Sequence, residues 1–304
     1  MIDRKIRADM SLAFCSLLWG ATFVVVRNTL DHISVLLFLA IRFSLAALLM
    51  GVFRPSALRN LKKEEFFAGA ALGLFMFGGY AFQTAGLQDT TPAKSAFVTG
   101  SSVVAVPLLL GIFWGRRLTV WVYAGTIAAV GGLYFLTVPA EGLSRLNHGD
   151  LLTLVAAGLY GMHIILVGEY TRRHSVAALS VLQVAACAAL AWVAAVFASA
   201  TTWQPARFHW GWELAAAIGI CSVFATAIAF SIQMWAQRYT TPSHAAIIFT
   251  LEPVFAVITS FLVIGERLNQ RSMLAGICVL AGILIAELLG PAAPESPEPM
   301  PADS

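Results

Sequence analysis

Long apolar runs separated by short polar segments recur along the whole 304-residue chain. Most runs are about twenty residues long, which at ~1.5 Å rise per residue matches a hydrocarbon core of ~30 Å. The pattern predicts an all-α integral membrane protein with ten transmembrane helices. The predicted spans are residues 9–29, 33–53, 65–87, 93–114, 118–138, 149–169, 176–199, 210–236, 243–264 and 272–289.

The two halves of the chain repeat each other. The clearest matches, at offsets of 141 or 150 residues, are Asp9 with Asp150, Gly20 with Gly161, Gln83 with Gln233, and Thr90-Thr91-Pro92 with Thr240-Thr241-Pro242. Each half holds five spans, and an odd number of spans inserts the second half upside down. We therefore predict two inverted five-helix repeats, residues 9–138 and 149–289, joined by an external linker at 139–148.

Charge is scarce: the chain is 59% hydrophobic and 12% charged, with a mean hydropathy of +0.80. A soluble domain needs more charge than this, and a net charge of +3 gives no basic surface for nucleic acid. Twelve Lys and Arg residues lie in loops on the side of the N-terminus and six lie opposite. This bias predicts a multi-pass protein of the inner (plasma) membrane with cytoplasmic tails at 1–8 and 290–304, the second one disordered.

Four aromatic–x–x–polar pairs stand at repeat-related positions inside the spans. A spacing of three places both members on one helical face. Aromatic walls with polar groups near the midplane would suit a small amphipathic solute, whereas the alternative is that the polar groups bond neighbouring helices. The predicted substrate-binding residues are Trp19 with Thr22, Tyr80 with Gln83, Tyr160 with His163, and Phe230 with Gln233.

Apart from His163, the ionisable residues nearest a span centre are Arg42 and Glu252. Each lies nine residues from the start of its span, roughly 13.5 Å along the axis, so a shared depth is expected. Burial favours pairing, which predicts a structural ion pair between them. The alternative makes Glu252 a carboxylate that couples transport to protons.

Four short motifs stand out in the spans and at their ends: Leu-Trp-Gly-Ala-Thr-Phe at 18–23, Ile41-Arg42-Phe43, Ala96-Phe97-Val98-Thr99-Gly100, and Leu251-Glu252-Pro253 followed by Gly265-Glu266-Arg267-Leu268. With these motifs the chain resembles, over roughly residues 9–289, the drug/metabolite transporter superfamily, specifically its ten-span EamA-type permeases. The resemblance implies transport of small metabolites, often amino acids, around a cavity formed by spans 1, 3, 4, 6, 8 and 9. The first half departs from the second in having Gly115-Arg116-Arg117 in place of Gly265-Glu266-Arg267.

The expected function is secondary transport, in the export direction, of a small organic metabolite such as an amino acid or amphipathic compound. The two repeats would alternate access to a midplane cavity, driven by proton exchange or by the solute gradient. A non-transporting membrane scaffold or sensor is the alternative, although it need not bear the cost of buried polar residues. A membrane enzyme lacks support because no nucleophile–base pair is apparent. The four cysteines show no metal-ligand spacing, and no cofactor or metal is expected.

Glycines mark two spans as close-packing. Gly131-Gly132 in the fifth span and Gly282 in the tenth predict faces where helix backbones approach one another, away from the cavity.

Overall fold

A computed structural model of the protein describes residues 4–59, 61–115, 119–137, 147–201 and 206–289. Within these ranges the chain forms α-helices joined by short loops, together with one isolated β-bridge between Ile33 and Phe208. The helices are α1 (Arg4–Thr29), α2 (Val35–Phe53), α3 (Ser56–Arg59), α4 (Lys63–Gly86), α5 (Pro92–Gly100), α6 (Ser102–Trp114), α7 (Val120–Thr137), α8 (His148–Tyr170), α9 (Val176–Ala200), α10 (Trp212–Ser222), α11 (Ala229–Gln237), α12 (Pro242–Phe249), α13 (Leu251–Ile264) and α14 (Gln270–Leu288).

The predicted spans correspond to these helices. In the part of the chain that the structure describes, eight helical segments are long and apolar enough to cross a membrane, and the fifth and tenth spans correspond to shorter apolar stretches at Val120–Leu136 and Gln270–Ile285. Helix α1 begins at Arg4, inside the segment predicted to be a tail, because Ala8 is already buried against the core. The tail at 290–304 and linker residues 139–146 lie outside the described residues.

Two spans are each divided into two helices at nearly the same repeat position. Helices α5 and α6 meet at Ser101, and α12 and α13 meet at Thr250. At both residues the backbone N–H bonds to the carbonyl three residues earlier, which makes a tight 3₁₀-type turn. Pro253 follows the second break, and its missing N–H removes the bond that the Phe249 carbonyl would accept in a continuous helix.

The strongest packing contacts all join one half of the chain to the other. Helix α4 packs on α8 and α9, and its repeat equivalent, the eighth span, packs on α1 and α2. Likewise α1 packs on α13, and the equivalent contact is α6 on α8. The two repeats therefore share one core, and a space between them is bounded by both.

Glycine brings α7 and α14 close together on the side of the bundle. A Cβ atom on Gly132 would lie 2.7 Å from the Val279 backbone nitrogen, and one on the equivalent Gly282 would clash with the Ala129 backbone nitrogen. The close approach predicted for these two glycines is confirmed. Gly131, by contrast, has no atom within 4 Å of an added Cβ.

Large apolar side chains cover the outside of the bundle. Leu48, Val52, Phe53, Ile112 and Ile127 each expose about two-thirds or more of their surface. In water such a surface would be costly, whereas a bilayer would cover it.

Candidate functional site

A central cavity lies between the two halves, with a volume of about 70 Å³. Its lining residues come from the six spans expected from the family resemblance, three in each repeat, and from α2 in addition. The ten residues singled out from the sequence all line this one cavity: Trp19, Thr22, Arg42, Tyr80, Gln83, Tyr160, His163, Phe230, Gln233 and Glu252. Their roles in binding or coupling remain predictions.

Aromatic rings form one wall of the cavity. The Trp19 ring centroid lies 5.3 Å from those of Phe230 and Phe249. The Tyr80 centroid lies 5.5 Å from that of Tyr160 and 6.1 Å from that of Phe230, both in edge-on geometry. Aromatic pairs prefer tilted and edge-on arrangements of this kind, so the rings support one another in a continuous apolar wall.

Hydrogen bonds join the polar residues of the cavity wall to neighbouring helices, between the repeats and within the second one. The Tyr160 hydroxyl donates to Gln83 Oε1 at 3.0 Å, and Gln83 Nε2 donates to Thr99 Oγ1 at 2.9 Å. His163 Nε2 lies 2.9 Å from Gln183 Oε1. Gln83 and His163 thus bond neighbouring helices and also line the cavity, and their part in substrate binding stays a prediction.

Gln233, the repeat equivalent of Gln83, is placed differently. Its side chain is 2% exposed, and its Oε1 atom has no hydrogen-bond partner in the part of the chain that the structure describes. A buried carbonyl oxygen without a donor costs free energy. Gln233 therefore presents an unused acceptor at the cavity wall.

Arg42 is held behind the aromatic wall by uncharged groups. Its Nε donates to Thr226 Oγ1 at 2.9 Å, and its Nη2 lies 3.5 Å from the Ala225 carbonyl oxygen. The guanidinium carbon lies 4.7 Å from the Tyr80 ring centroid and 5.2 Å from that of Phe43. Hydroxyl, carbonyl and aromatic faces together compensate this buried charge.

The acceptors for Arg42 come from a π-helical segment, Val223–Ile228, that separates α10 from α11. Its wider turn matches the Thr226 hydroxyl, which donates to the carbonyl five residues back, at Cys221. The Ala225 carbonyl also accepts the Trp19 indole N–H at 2.9 Å. π segments often occur at functional sites, and this one fixes two cavity residues from the first repeat.

Comparison with known proteins shows which family the chain belongs to. The sequence profile described as the EamA-like transporter family matches it twice, over residues 6–138 and 147–288. The chain belongs to the EamA-like transporter family. It is therefore a multi-pass membrane transporter and not an enzyme.

This EamA-like transporter has named relatives. An uncharacterized transporter of Archaeoglobus fulgidus is 32% identical over 285 residues, which cover 94% of this chain and 87% of the relative. The threonine/homoserine exporter RhtA of Escherichia coli (strain K12) is 26% identical over 257 residues, covering 83% and 79% of the two chains. A crystal structure 18% identical in sequence superposes with a TM-score of 0.67 over 93% of this chain and 97% of its own, and supports the fold alone.

The EamA-like transporter differs from expectation at its buried charges. Arg42 and Glu252 line the same cavity, but they form no ion pair within 4.0 Å among the described residues. The expected structural pair is absent because Thr226, Ala225 and two rings already hold the guanidinium. The Glu252 carboxylate has no hydrogen-bond partner in the described chain, and its role in proton coupling remains a prediction.

Glycine positions the backbone that carries Glu252. A Cβ atom on Gly20 would lie 2.5 Å from the Glu252 carbonyl oxygen, so α1 and α13 are in direct backbone contact. At the equivalent site, a Cβ on Gly161 would lie 3.2 Å from the Ser102 carbonyl oxygen. Ser102 and Glu252 are therefore repeat equivalents that line one cavity, with a carboxylate in the second half only.

Sequence reasoning missed several cavity residues in the EamA-like transporter. They are mostly apolar or lie at helix breaks, and they are Phe23, Val26, Thr84, Leu87, Thr99, Gly100, Ser102, Ile164 and Phe249. Thr99, Gly100 and Ser102 flank the break at Ser101. The polar cluster of Thr99, Ser101 and Ser102 inside an apolar span was the available signal for that break.

Proposed function

We propose that this transporter exports a small organic metabolite, such as an amino acid or another amphipathic compound, by alternating access between its two repeats. The observation that carries the proposal is a central cavity between the halves, lined by aromatic and polar residues at repeat-equivalent positions. Inverted repeats with a midplane site between them are the usual build of carriers that work in this way.

The size of the cavity supports a small solute. One water molecule needs ~10–15 Å³ by the same measure, so about 70 Å³ corresponds to on the order of five water molecules. The space of about five water molecules is of the order of the volume of an amino acid, and it is far below the volume of a nucleotide or a lipid.

The ionisable residues of the cavity support a solute with one ammonium and one carboxylate group. Arg42 and Glu252 give the cavity lining one basic and one acidic group, which suits a solute that carries both a carboxylate and an ammonium group. The Glu252 carboxyl group lines the cavity without a hydrogen-bond partner among the described residues, and it would accept the ammonium group. The relative RhtA is named as an exporter of threonine and homoserine, which are zwitterions of this kind.

We place the transporter in the inner membrane with both termini in the cytoplasm, on the support of the lysine and arginine bias between its loops. Energy for export would come from proton exchange or from the gradient of the solute itself.

Export can be tested with the purified protein in liposomes loaded with a mixture of the twenty standard amino acids. Loss of each amino acid is measured by mass spectrometry against protein-free liposomes. We expect at least one amino acid to leave faster through the protein. A folded protein that releases none of them would overturn the proposal and favour a scaffold or sensor.

The site within the protein is tested by Glu252→Gln, with Glu169→Gln as the matched control. Glu169 pairs with Arg173 at 3.5 Å near the end of α8, outside the cavity. A hydrogen bond to a charged group contributes ~1.5–3 kcal/mol, so flux through Glu252→Gln should fall by about ten- to a hundredfold. Flux through Glu169→Gln should stay at the wild-type level.

A further inference from the structure

Two polar contacts outside the cavity stand at repeat-equivalent positions. Lys94 Nζ lies 2.5 Å from Asp150 Oδ2, between α5 and α8. His244 Nε2 lies 3.1 Å from Asp9 Oδ1, between α12 and α1. Asp9 and Asp150 match at an offset of 141, and Lys94 and His244 match at an offset of 150.

Local structure confirms that Lys94 and His244 are equivalent. Each is the third residue of a helix that begins with a proline, and in each case the N-cap threonine accepts the backbone N–H of that third residue. Thr91 Oγ1 accepts from Lys94 N at 3.3 Å, and Thr241 Oγ1 accepts from His244 N at 3.2 Å. The basic side chains therefore leave equivalent helix ends in equivalent directions.

The two contacts lie on opposite sides of the cavity. Each of the four residues shares a helix with a residue that lines the cavity. Asp9 and Asp150 precede Trp19 and Tyr160 by ten residues, and Lys94 and His244 precede Thr99 and Phe249 by five. Ten helical residues span ~15 Å and five span ~7.5 Å. Because the second repeat is inverted, Asp9–His244 lies towards the N-terminal end of the bundle and Lys94–Asp150 towards the opposite end.

Each contact also joins the first repeat to the second. Helices α1 and α5 belong to the first half, and α8 and α12 belong to the second. Motion of one repeat against the other must therefore change both distances. When two inverted repeats move apart at one end of the cavity, they come together at the other end. The motion that breaks one of the two contacts therefore does not break the other.

The end with Lys94 and Asp150 is the more firmly held of the two. Asp150 also accepts the Thr90 hydroxyl at 2.6 Å, and its side chain is 1% exposed. Beside it, Glu266 Oε2 accepts the Ser260 hydroxyl at 2.5 Å and the Ala93 backbone N–H at 3.4 Å.

The end with Asp9 and His244 has fewer bonds. These side chains are 30% and 38% exposed. Thr240, the equivalent of Thr90, has a hydroxyl without a hydrogen-bond partner among the residues described. Among the residues described, further hydrogen bonds thus support the contact at the end with Lys94 and Asp150, whereas the contact at the other end is more exposed.

We propose that Lys94–Asp150 and Asp9–His244 are the contacts that close the two ends of the cavity, and that their unequal strength sets the resting conformation. The proposal rests on the proposed alternating access. The four side chains are positioning residues: they touch no solute and act by holding α5 against α8 and α12 against α1. The end with Asp9 and His244 is the one that opens first.

The test measures access to the cavity from each side of the membrane. Ser102→Cys places a reporter thiol in the cavity of a protein whose four native cysteines are replaced by alanine. A membrane-impermeant maleimide is applied to vesicles of known orientation. Asp150→Asn removes the charge that pairs with Lys94, and it should raise labelling from the end that carries Lys94 about two- to tenfold, the size expected for the loss of one buried polar contact. Asp9→Asn should raise labelling from the N-terminal end.

Asp31→Asn is the matched control. Asp31 pairs with Arg27 at 3.5 Å near the end of α1, within a single repeat, so its loss should change labelling from neither side. Charge exchange, Lys94→Asp with Asp150→Lys, should return labelling to the wild-type level. If Asp150→Asn yields too little folded protein, maleimide labelling is measured on Thr90→Val instead. This variant removes one hydrogen bond to Asp150 and leaves both charges.

Labelling that rises equally from both sides, or that stays unchanged in both variants, would overturn the proposal, because a contact that closes one end acts on that end alone. The result is separate from transport itself. Liposome export that fails while labelling responds as described refutes the proposed solute, whereas export that succeeds with unresponsive labelling refutes the closing contacts.

Discussion

The Tyr160 hydroxyl donates a hydrogen bond to Gln83 Oε1 at 3.0 Å, and the repeat equivalent of this bond does not form. In the other half Trp19 stands for Tyr160 and Gln233 for Gln83. The Trp19 indole donates to the Ala225 carbonyl instead, and Gln233 Oε1 has no partner among the described residues. The two repeats share one architecture, but their cavity walls differ in which polar atoms are free.

This asymmetry predicts unequal effects of Gln83→Ala and Gln233→Ala. Both truncations remove the same atoms, but Gln83 alone loses two hydrogen bonds, to Tyr160 and Thr99. At ~0.5–1.5 kcal/mol for each bond, Gln83→Ala should unfold more easily than Gln233→Ala by about 1–3 kcal/mol. Thermal unfolding in detergent measures the difference, and equal destabilisation would show that Gln233 has a partner of its own. Transport per folded molecule should fall in Gln233→Ala.

The absent ion pair predicts that Arg42 and Glu252 act independently on stability. Arg42→Gln removes contacts to Thr226 and two rings, and it should destabilise the protein more than Glu252→Gln does. In the double variant the two changes should add within ~0.5 kcal/mol. A true pair would behave otherwise, since removing one partner of a buried pair costs ~3–5 kcal/mol and removing both recovers much of that. Recovery of stability in the double variant would contradict the structure.

Two adjacent glycines offer a matched test of packing between α7 and α14. Gly132→Ala forces a methyl group against the Val279 backbone and should cost ~1–3 kcal/mol, as overpacking does. In Gly131→Ala the added methyl group has no atom within 4 Å. Because alanine favours a helix more than glycine does, this variant should be neutral or stabilising by up to ~1 kcal/mol. The yield of folded protein and its thermal unfolding compare the two variants. Similar losses in both would place the tight contact elsewhere.

Orientation in the membrane is tested at two exposed loop positions. Asp31→Cys follows α1 and Arg59→Cys lies in α3, so the intervening α2 should place them on opposite sides. In intact cells an impermeant thiol reagent should label Asp31→Cys and spare Arg59→Cys, whereas in inverted vesicles the pattern should reverse. Labelling of Arg59→Cys in intact cells would put the termini outside.

Much of the cavity could be predicted from the sequence because of one physical constraint. Polar residues at membrane depth must face protein or water, so their recurrence at repeat-related positions identified the inner surface of both halves. Gln83 and Gln233 were found in this way although their bonding differs.

The remainder depends on backbone geometry that residue types do not encode. A π segment and two broken helices supply the acceptor for Arg42 and the turn at Ser101, and hydrophobic periodicity does not distinguish them from a continuous helix. The contact between Asp9 and His244 was hidden for another reason. The aspartates match between repeats, but their partners are lysine in one half and histidine in the other, so identity alone does not align them.

The π segment also sets the register of everything that follows it in the eighth span. A π turn holds one more residue than the α turn it replaces, and each residue advances an α-helix by about 100°. Phe230 and Gln233 reach the cavity because Val223–Ile228 supplies that extra residue. Removing a single residue from Val223–Ile228 would restore a regular helix and turn both side chains by about 100°, away from the cavity. The length of this short stretch, as much as its composition, thus determines whether Phe230 joins the aromatic wall and Gln233 faces the cavity.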